Sequence, residues 1–412
     1  MELAWQRLET NHFGTNEFVT FTRKVGAEPF FAVNMGTGSI EEARRWVEYT
    51  NIKEGPYYAE LRKNHGYPEP HNIKYWSLGN EMDGHWQMGH LNVDDYTKKA
   101  REAAKLMRMT SPDIEIIAAG SSNYGPGADP DHWNATVLNV LKDHIDHIAL
   151  HQYLGNPDDD YYGYISTPMV MDQRTQVVRG MILREMQHAN RGNRDPIYIA
   201  WDEWNVWYRR TGGNAVVGER ALEEHYNLED ALVVAGMLNV FIRNADIVKI
   251  ANMAQLVNVI APMFTNEQGI FRQTIYYPFQ LFSTYMRGSA LDVFVETETY
   301  NTGEFRKNAW DSKDSQQDVP YLDVSAALNN GEVIIAVVNR HRDSAINTEV
   351  TLQEGNFAGN VSVFEINGPD LKMKNDFDGE KVMTIERNTL DVKGQNFTYA
   401  FPAHSLTLLK AR

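Results

Sequence analysis

The feature that most constrains this chain is an alternation. Between Ala27 and Ala254, short apolar runs recur, separated by helix-like stretches. The runs are Glu28–Asn34, Ile73–Gly79, Ile114–Gly120, His147–Tyr153, Ile197–Asp202 and Ile247–Met253. Most are apolar at nearly every position, as strands buried on both faces must be, and such strands belong to parallel sheets. The clearest helix between them is Asn92–Met109. Asn92 supplies a cap, Asp94 and Asp95 occupy the first turn, and Ser111-Pro112 ends it. Tyr96, Ala100, Ala103, Ala104 and Met107 then form its inner stripe. Strands alternating with helices over this distance predict an α/β fold, most simply a (β/α)8 TIM-type barrel.

After Thr297 the texture changes. A polar stretch over 301–319 gives way to short strands of period 2: Tyr321–Leu328, a turn at Asn329-Asn330-Gly331, then Val333–Val338. Further strands are expected at Thr348–Leu352, Val361–Ile366, Val382–Ile385, Phe397–Phe401 and Ser405–Leu409. This part reads as a C-terminal antiparallel β-sandwich. The expected domains are therefore a catalytic barrel over 1–297, then a linker and sandwich over 298–412.

Charge and composition remove several functions. With Lys+Arg 39 and Asp+Glu 55 the net charge is −16, so no concentrated basic face is available for a nucleic acid. There is no cysteine, hence no disulfide, thiolate metal site or cysteine nucleophile. The start, Met1 to Gln6, lacks the basic and apolar regions of a signal peptide, and the longest apolar stretch, Ala231–Ile242, is too short to span a bilayer and contains Asn239. A cytoplasmic protein without a membrane partner is expected. Asn134, Asn360 and Asn396 match the glycosylation pattern by chance on that reading.

In a barrel the chemistry lies at the C-terminal ends of the strands. The second run ends in Leu78-Gly79-Asn80-Glu81 and the fifth in Asp202-Glu203-Trp204-Asn205-Val206-Trp207. Each places a glutamate after apolar residues, where a carboxylate is costly without a partner or a task. The fourth run ends in His151-Gln152-Tyr153, with His151 and Tyr153 on one face, and the sixth is followed by Ala254-Gln255. Two carboxyls from separate strands, flanked by aromatic and amide groups, are what glycosidic cleavage requires: one protonates the leaving oxygen, the other attacks the anomeric carbon. A strand-end Glu can also be a mere salt-bridge partner, but two beside Asn and Trp favour catalysis. His144, His147 and His151 lack metal-site spacing, and Asp158-Asp159-Asp160 lacks a calcium loop's, so no metal and no cofactor is called for.

At these residues the chain resembles the family 51 glycoside hydrolases, the α-L-arabinofuranosidases. Lys74 to Gly84 is similar to their acid/base motif and Asp202 to Tyr208 to their nucleophile motif. The likeness continues at Leu3-Ala4-Trp5, Ala32 to Thr37, Leu150 to Tyr153, Ala254 to Pro262, Gln273 to Pro278 and Pro402 to Ser405. The resemblance implies a retaining exo-enzyme that releases arabinofuranosyl groups from arabinose-containing oligosaccharides, and a homo-oligomer, often a hexamer. It implies Glu81 as acid/base, Glu203 as nucleophile, and Asn80 as a partner of the sugar 2-hydroxyl. His151 and Tyr153 would hold the nucleophile, Trp207 and Gln255 contact sugar, and Trp5 lie near the pocket. Ser77 stands where many relatives have Cys and should not touch the chemistry. In the larger clan the two glutamates end strands four and seven; here they end the second and fifth runs. The chain is therefore expected to begin after the family's first two βα units and not to close a barrel alone. Two alternatives stay open: a related barrel acting on β-xylosides or β-glucans, and an inactive carbohydrate-binding remnant.

Overall fold

The computed structural model describes residues 8–208 and 222–412, and Trp5 lies outside them. By its contacts the chain divides into two compact units, Met1–His151 with Thr175–Glu203 and Ile247–Ala251, and Gln152–Arg174 with Trp204–Asp246 and Asn252–Arg412.

Each of the six apolar runs becomes a strand: β1 Phe30–Ala32, β2 Tyr75–Leu78, β3 Glu115–Ala118, β4 His147–Leu154, β5 Tyr198–Val206 and β6 Val248–Met253. They form one parallel sheet in sequence order, curled as half a barrel, with β1 and β6 at its edges. No closing pair joins β1 to β6 among the described residues, in line with the expected six-strand arc. The sheet's inner layer takes one side chain from each strand: Ile117, Ala149 and Ala200 are buried, flanked by Phe30, Tyr75 and Ile250. The first unit's helices are α1 Thr15–Lys24, α2 Ile40–Asn51, α3 Tyr57–Asn64, α4 Val93–Thr110 and α5 Pro130–Leu141. In α4 the Asn92 side chain caps Asp95 N, and the five stripe residues are fully buried, as their spacing predicts.

Two polar devices hold this unit where the strands end. Arg62 of α3 is fully buried and donates to the carbonyls of Tyr49, Ile52, Lys53 and Tyr67, closing a loop that no strand or helix satisfies. The Tyr96 hydroxyl donates to Leu78 O at 2.9 Å and accepts from Ala119 N at 2.7 Å, so one oxygen ties the ends of β2 and β3 to α4.

The second unit contains α6 Tyr161–Ser166, the start of α7 Pro168–Met186, α8 Leu228–Arg243, and then β7 Met263–Asn266, β8 Gly269–Arg272 and α9 Tyr276–Tyr285. The apolar stretch around Asn239 is α8, a helix buried almost throughout. Its Asn239 is no breach of the core, because it donates to Asp323 and accepts from Ser325 Oγ, while Arg243 pairs with Asp323 at 2.8 Å. The remaining strands are β9 Ser289–Leu291, β10 Thr299–Asn301, β11 Asp318–Pro320, β12 Leu322–Asn329, β13 Glu332–Asn339, β14 Ile346–Thr351, β15 Phe357–Ile366, β16 Ile385–Gly394, β17 Asn396–Phe401 and β18 Ser405–Ala411. An antiparallel sheet of order β16-β15-β18-β13-β12-β9 and a β14-β17 pair share one core around Phe357, Val361, Leu409 and Phe401. The expected hairpin is present: Asn329 pairs with Glu332, and Asn330 and Gly331 both take positive φ, 52° and 79°, as a two-residue turn demands.

One strand is placed differently. Val382 is buried in a loop, its amide held by Asn375 Oδ1, and the strand runs over Ile385–Gly394 instead of Val382–Ile385. The β7–β8 hairpin has no counterpart in the sequence reading. No helix among the described residues is long and apolar enough to cross a membrane.

Candidate active site

The site in the first unit is built on the ends of β2, β4 and β5. After Leu78 the chain turns through Gly79, whose φ is 91°, to Glu81, whose φ is 48°. A Cβ on Gly79 would lie 2.8 Å from Met82 and 3.0 Å from Met35, so the turn has no room for one. Left-handed backbone is uncommon for glutamate and costs on the order of 1–3 kcal/mol, held only when the surroundings over-determine it. Here they do. Gly84 N bonds Glu81 O at 2.9 Å, and Asp83 accepts from Ser122 N at 2.8 Å, Asn123 N at 2.9 Å and the Ser122 hydroxyl. The turn after β2 is thereby bound to the loop after β3.

Glu81 is aimed by three donors. Trp86 Nε1 and Gln87 Nε2 donate to Oε2, and His151 Nδ1 lies 3.0 Å from Oε1. His151, on β4, is nearly buried. Its Nδ1 also lies 3.5 Å from Glu203 Oε2, and its Nε2 lies 3.2 Å from Asp202 Oδ1. One oxygen of Glu81, one ring nitrogen of His151 and one oxygen of Glu203 all lie within 4.8 Å of one another. The two candidate carboxyls thus meet at one nitrogen of a shared imidazole.

A general acid is ordinarily raised by burial and by a neighbouring carboxylate, and the protonation of this trio departs from that pattern. Burial does push Glu81 up, but the His151 hydrogen bond and charge, with the bonds from Trp86 and Gln87, outweigh it and hold Glu81 below the ordinary glutamate value. Burial pushes His151 down, yet the Glu203 charge, the Asp202 carboxyl beside Nε2 and the bond to Glu81 raise it well above the ordinary histidine value. The proton therefore rests on the imidazole in the free protein.

The other residues picked out in the sequence fall in both units. Asn80, beside Glu81, is exposed. In the second unit, the Tyr153 and Trp207 rings meet edge to face with centroids 5.1 Å apart, and Trp207 meets Trp310 in the same way at 5.3 Å. Gln255 is exposed and follows β6. Ser77 is buried, its hydroxyl donating to Gly79 O at 2.9 Å. Sequence reasoning passed over Trp86, Gln87, Trp310 and any role for Asp202. Trp86 and Gln87 stand five and six residues beyond Glu81, a spacing that becomes informative only once the chain is known to double back.

Comparison with known proteins decides the family. Residues 1–166 match the α-L-arabinofuranosidase 1 domain and residues 202–405 the α-L-arabinofuranosidase C-terminal domain. An intracellular exo-α-(1→5)-L-arabinofuranosidase of Halalkalibacterium halodurans is 42% identical over 86% of this chain and 69% of its own length. The chain belongs to the family 51 α-L-arabinofuranosidases. The Bacillus subtilis intracellular exo-α-(1→5)-L-arabinofuranosidase 1 is 36% identical over the whole chain and 81% of its own length. The Thermotoga maritima α-L-arabinofuranosidase, solved as an arabinose complex, superposes with a TM-score of 0.86 at 35% identity, covering 99% of this chain and 80% of that one. Family membership thus extends over both units, including the β2 and β5 ends that carry Glu81 and Glu203.

Proposed function

We propose that the chain is a retaining exo-α-L-arabinofuranosidase in which Glu203 is the nucleophile and Glu81 the acid/base. The observation that carries this is the closeness of the two carboxyls. One oxygen from each lies within 4.8 Å of the other, which is nearer the separation of about 5–5.5 Å used for double displacement than the roughly 6.5–9.5 Å of inverting enzymes. In the first step a Glu203 oxygen bonds the anomeric carbon as the glycosidic C–O bond breaks, and Glu81 passes a proton to the departing oxygen. In the second, Glu81 takes a proton from water, whose oxygen displaces Glu203 with net retention.

Within this reading Asn80, Trp207 and Gln255 contact the sugar, Tyr153 helps hold the nucleophile, and residues 1–297 and 298–412 form the catalytic and sandwich domains. The substrates are arabinose-containing oligosaccharides, and the intracellular relatives support action inside the cell. Assembly as a homo-oligomer, a hexamer by family resemblance, is checked by light scattering.

Aryl α-L-arabinofuranosides of graded leaving-group acidity test the roles. Glu203→Ala abolishes turnover on all of them. Glu81→Ala loses roughly 10²–10⁴-fold on poor leaving groups and far less in forming the intermediate from dinitrophenyl substrates. Equal losses on every leaving group refute the assignment, and release of xylose or glucose in place of arabinose refutes the substrate.

A further inference from the structure

In a retaining glycosidase the acid must carry a proton when substrate arrives, yet here the residue positioned to be that acid is held ionised by its neighbours. The imidazole between the carboxyls resolves the conflict. We propose that His151 stores the proton that Glu81 delivers, and that Asp202 is the positioning residue that keeps it there. The proposal rests on the reading of Glu81 as the acid/base.

Three geometric facts carry it. His151 Nδ1 lies 3.0 Å from Glu81 Oε1, a single hydrogen-bond length, so transfer requires no movement of either residue. Asp202 Oδ1 lies 3.2 Å from Nε2 on the far side of the ring, and no hydrogen-bond partner satisfies that buried oxygen. A buried carboxylate oxygen is costly to leave unpaired, and a modest rotation of the ring or the carboxyl completes a bond to a protonated Nε2. Glu203 Oε2 lies 3.5 Å from Nδ1. The ring is thus enclosed by anions, with Asp202 at one nitrogen and Glu81 and Glu203 at the other.

The remaining ionisable neighbours do not compete. Asp83, on the turn with Glu81, is committed to Ser122 and Asn123. Tyr96 is committed to Leu78 and Ala119, and His147, one turn of pleat earlier on β4, pairs with Glu115 at 2.8 Å. The β3 neighbour of His151 contributes only a carbonyl, Ser121 O, which accepts from His151 N.

The proton count closes. In the free enzyme Nδ1 holds the proton. As the glycosidic bond breaks, it moves from Nδ1 to Glu81 Oε1, and a proton on Glu81 leaves with the aglycone oxygen as Glu203 bonds the sugar. When water attacks, its proton goes to Glu81 and then back to Nδ1, and Glu203 is released. The burial that opposes an imidazolium is overcome by the three carboxyls, of which Asp202 is the one that takes no part in bond making.

The test is the pH profile of kcat/KM for Asp202→Asn on a substrate with a poor leaving group. Removing one anion from His151 moves the alkaline limb to lower pH by about one pH unit or more, with little loss at the acidic side of the optimum. A purely structural Asp202 would lower the whole profile without moving the limb, and that result overturns the proposal. If the variant does not fold, ¹⁵N-histidine spectra of the unsubstituted protein decide. One of the 13 histidines must stay doubly protonated after the others have become neutral, and its resonance must move in Glu81→Gln. A full set of histidines titrating near the ordinary value overturns the proposal. Failure of the leaving-group test on Glu81→Ala would instead remove the underlying acid/base reading.

Discussion

Tyr96→Phe removes a single oxygen from the interior and leaves the ring in place. That oxygen serves two buried backbone groups, Leu78 O at 2.9 Å and Ala119 N at 2.7 Å, from a side chain with no exposure. Phenylalanine fills the same space, so there is no cavity to count, only two polar groups deprived of a partner. Each such loss costs about 1–3 kcal/mol, and roughly 2–4 kcal/mol is expected for the pair, because the carbonyl keeps a second lone pair. Denaturant unfolding gives the total as a lowered midpoint with an unchanged slope. Amide hydrogen exchange gives the local part. A loss of about 2 kcal/mol at Ala119 N corresponds to exchange on the order of 30-fold faster, since 1.4 kcal/mol is tenfold. Turnover falls as well, by about ten- to a hundredfold, because Leu78 sits three residues before Glu81 and a small displacement there misplaces the carboxyl. An unchanged midpoint together with unchanged Ala119 exchange would show that the hydroxyl does not hold the two strand ends.

Arg62→Lys should lower the unfolding midpoint nearly as far as Arg62→Met, since an ammonium cannot serve four carbonyls from one planar fork; full rescue by lysine would refute this. Glu380 contributes acid sensitivity to the second unit. Burial pushes it up, but Arg272 and Tyr277 donate to it and hold it at about 2, against 4.5 unfolded. A folded value below the unfolded one means the stabilisation is present above pH 4.5 and disappears as the pH falls toward 2. Tyr277→Phe, by weakening the hold on Glu380, should lower the melting temperature above pH 4.5 and make its fall below that pH shallower than in the unsubstituted protein. Identical melting curves between pH 5 and 3 would count against it.

Much of the fold was legible because burial leaves a mark in composition. Strands covered on both faces must be apolar throughout, and all six runs between Ala27 and Ala254 became strands. The α4 stripe and the Asn330-Gly331 turn were legible for equally local reasons. The polar strand β16 was not. Along Ile385–Gly394 only Val392 is buried, so no alternation distinguishes it from a loop. In the site, both glutamates could be found, since a carboxylate at the end of an apolar run is conspicuous. Their charges could not. Burial and the proximity of Glu203 argue for a neutral Glu81, and only the fold reveals that one nitrogen of His151 lies against both carboxyls. Trp86 and Gln87 were equally hidden, being ordinary loop residues until the chain returns them to Oε2.

The backbone of Glu81 sets a conflict into the chain's evolution. A left-handed residue is most comfortable as glycine, and asparagine or aspartate tolerate it better than glutamate does. Substituting glycine at this position relieves part of the strain by removing Cβ, and it eliminates the carboxyl proposed as the acid/base. A population of variants screened only for resistance to unfolding should therefore drift toward Gly or Asn at this position, whereas one screened for sugar release should retain Glu. Deep sequencing of the two selected pools would show the position moving in opposite directions, a local record of how stability is exchanged for chemistry.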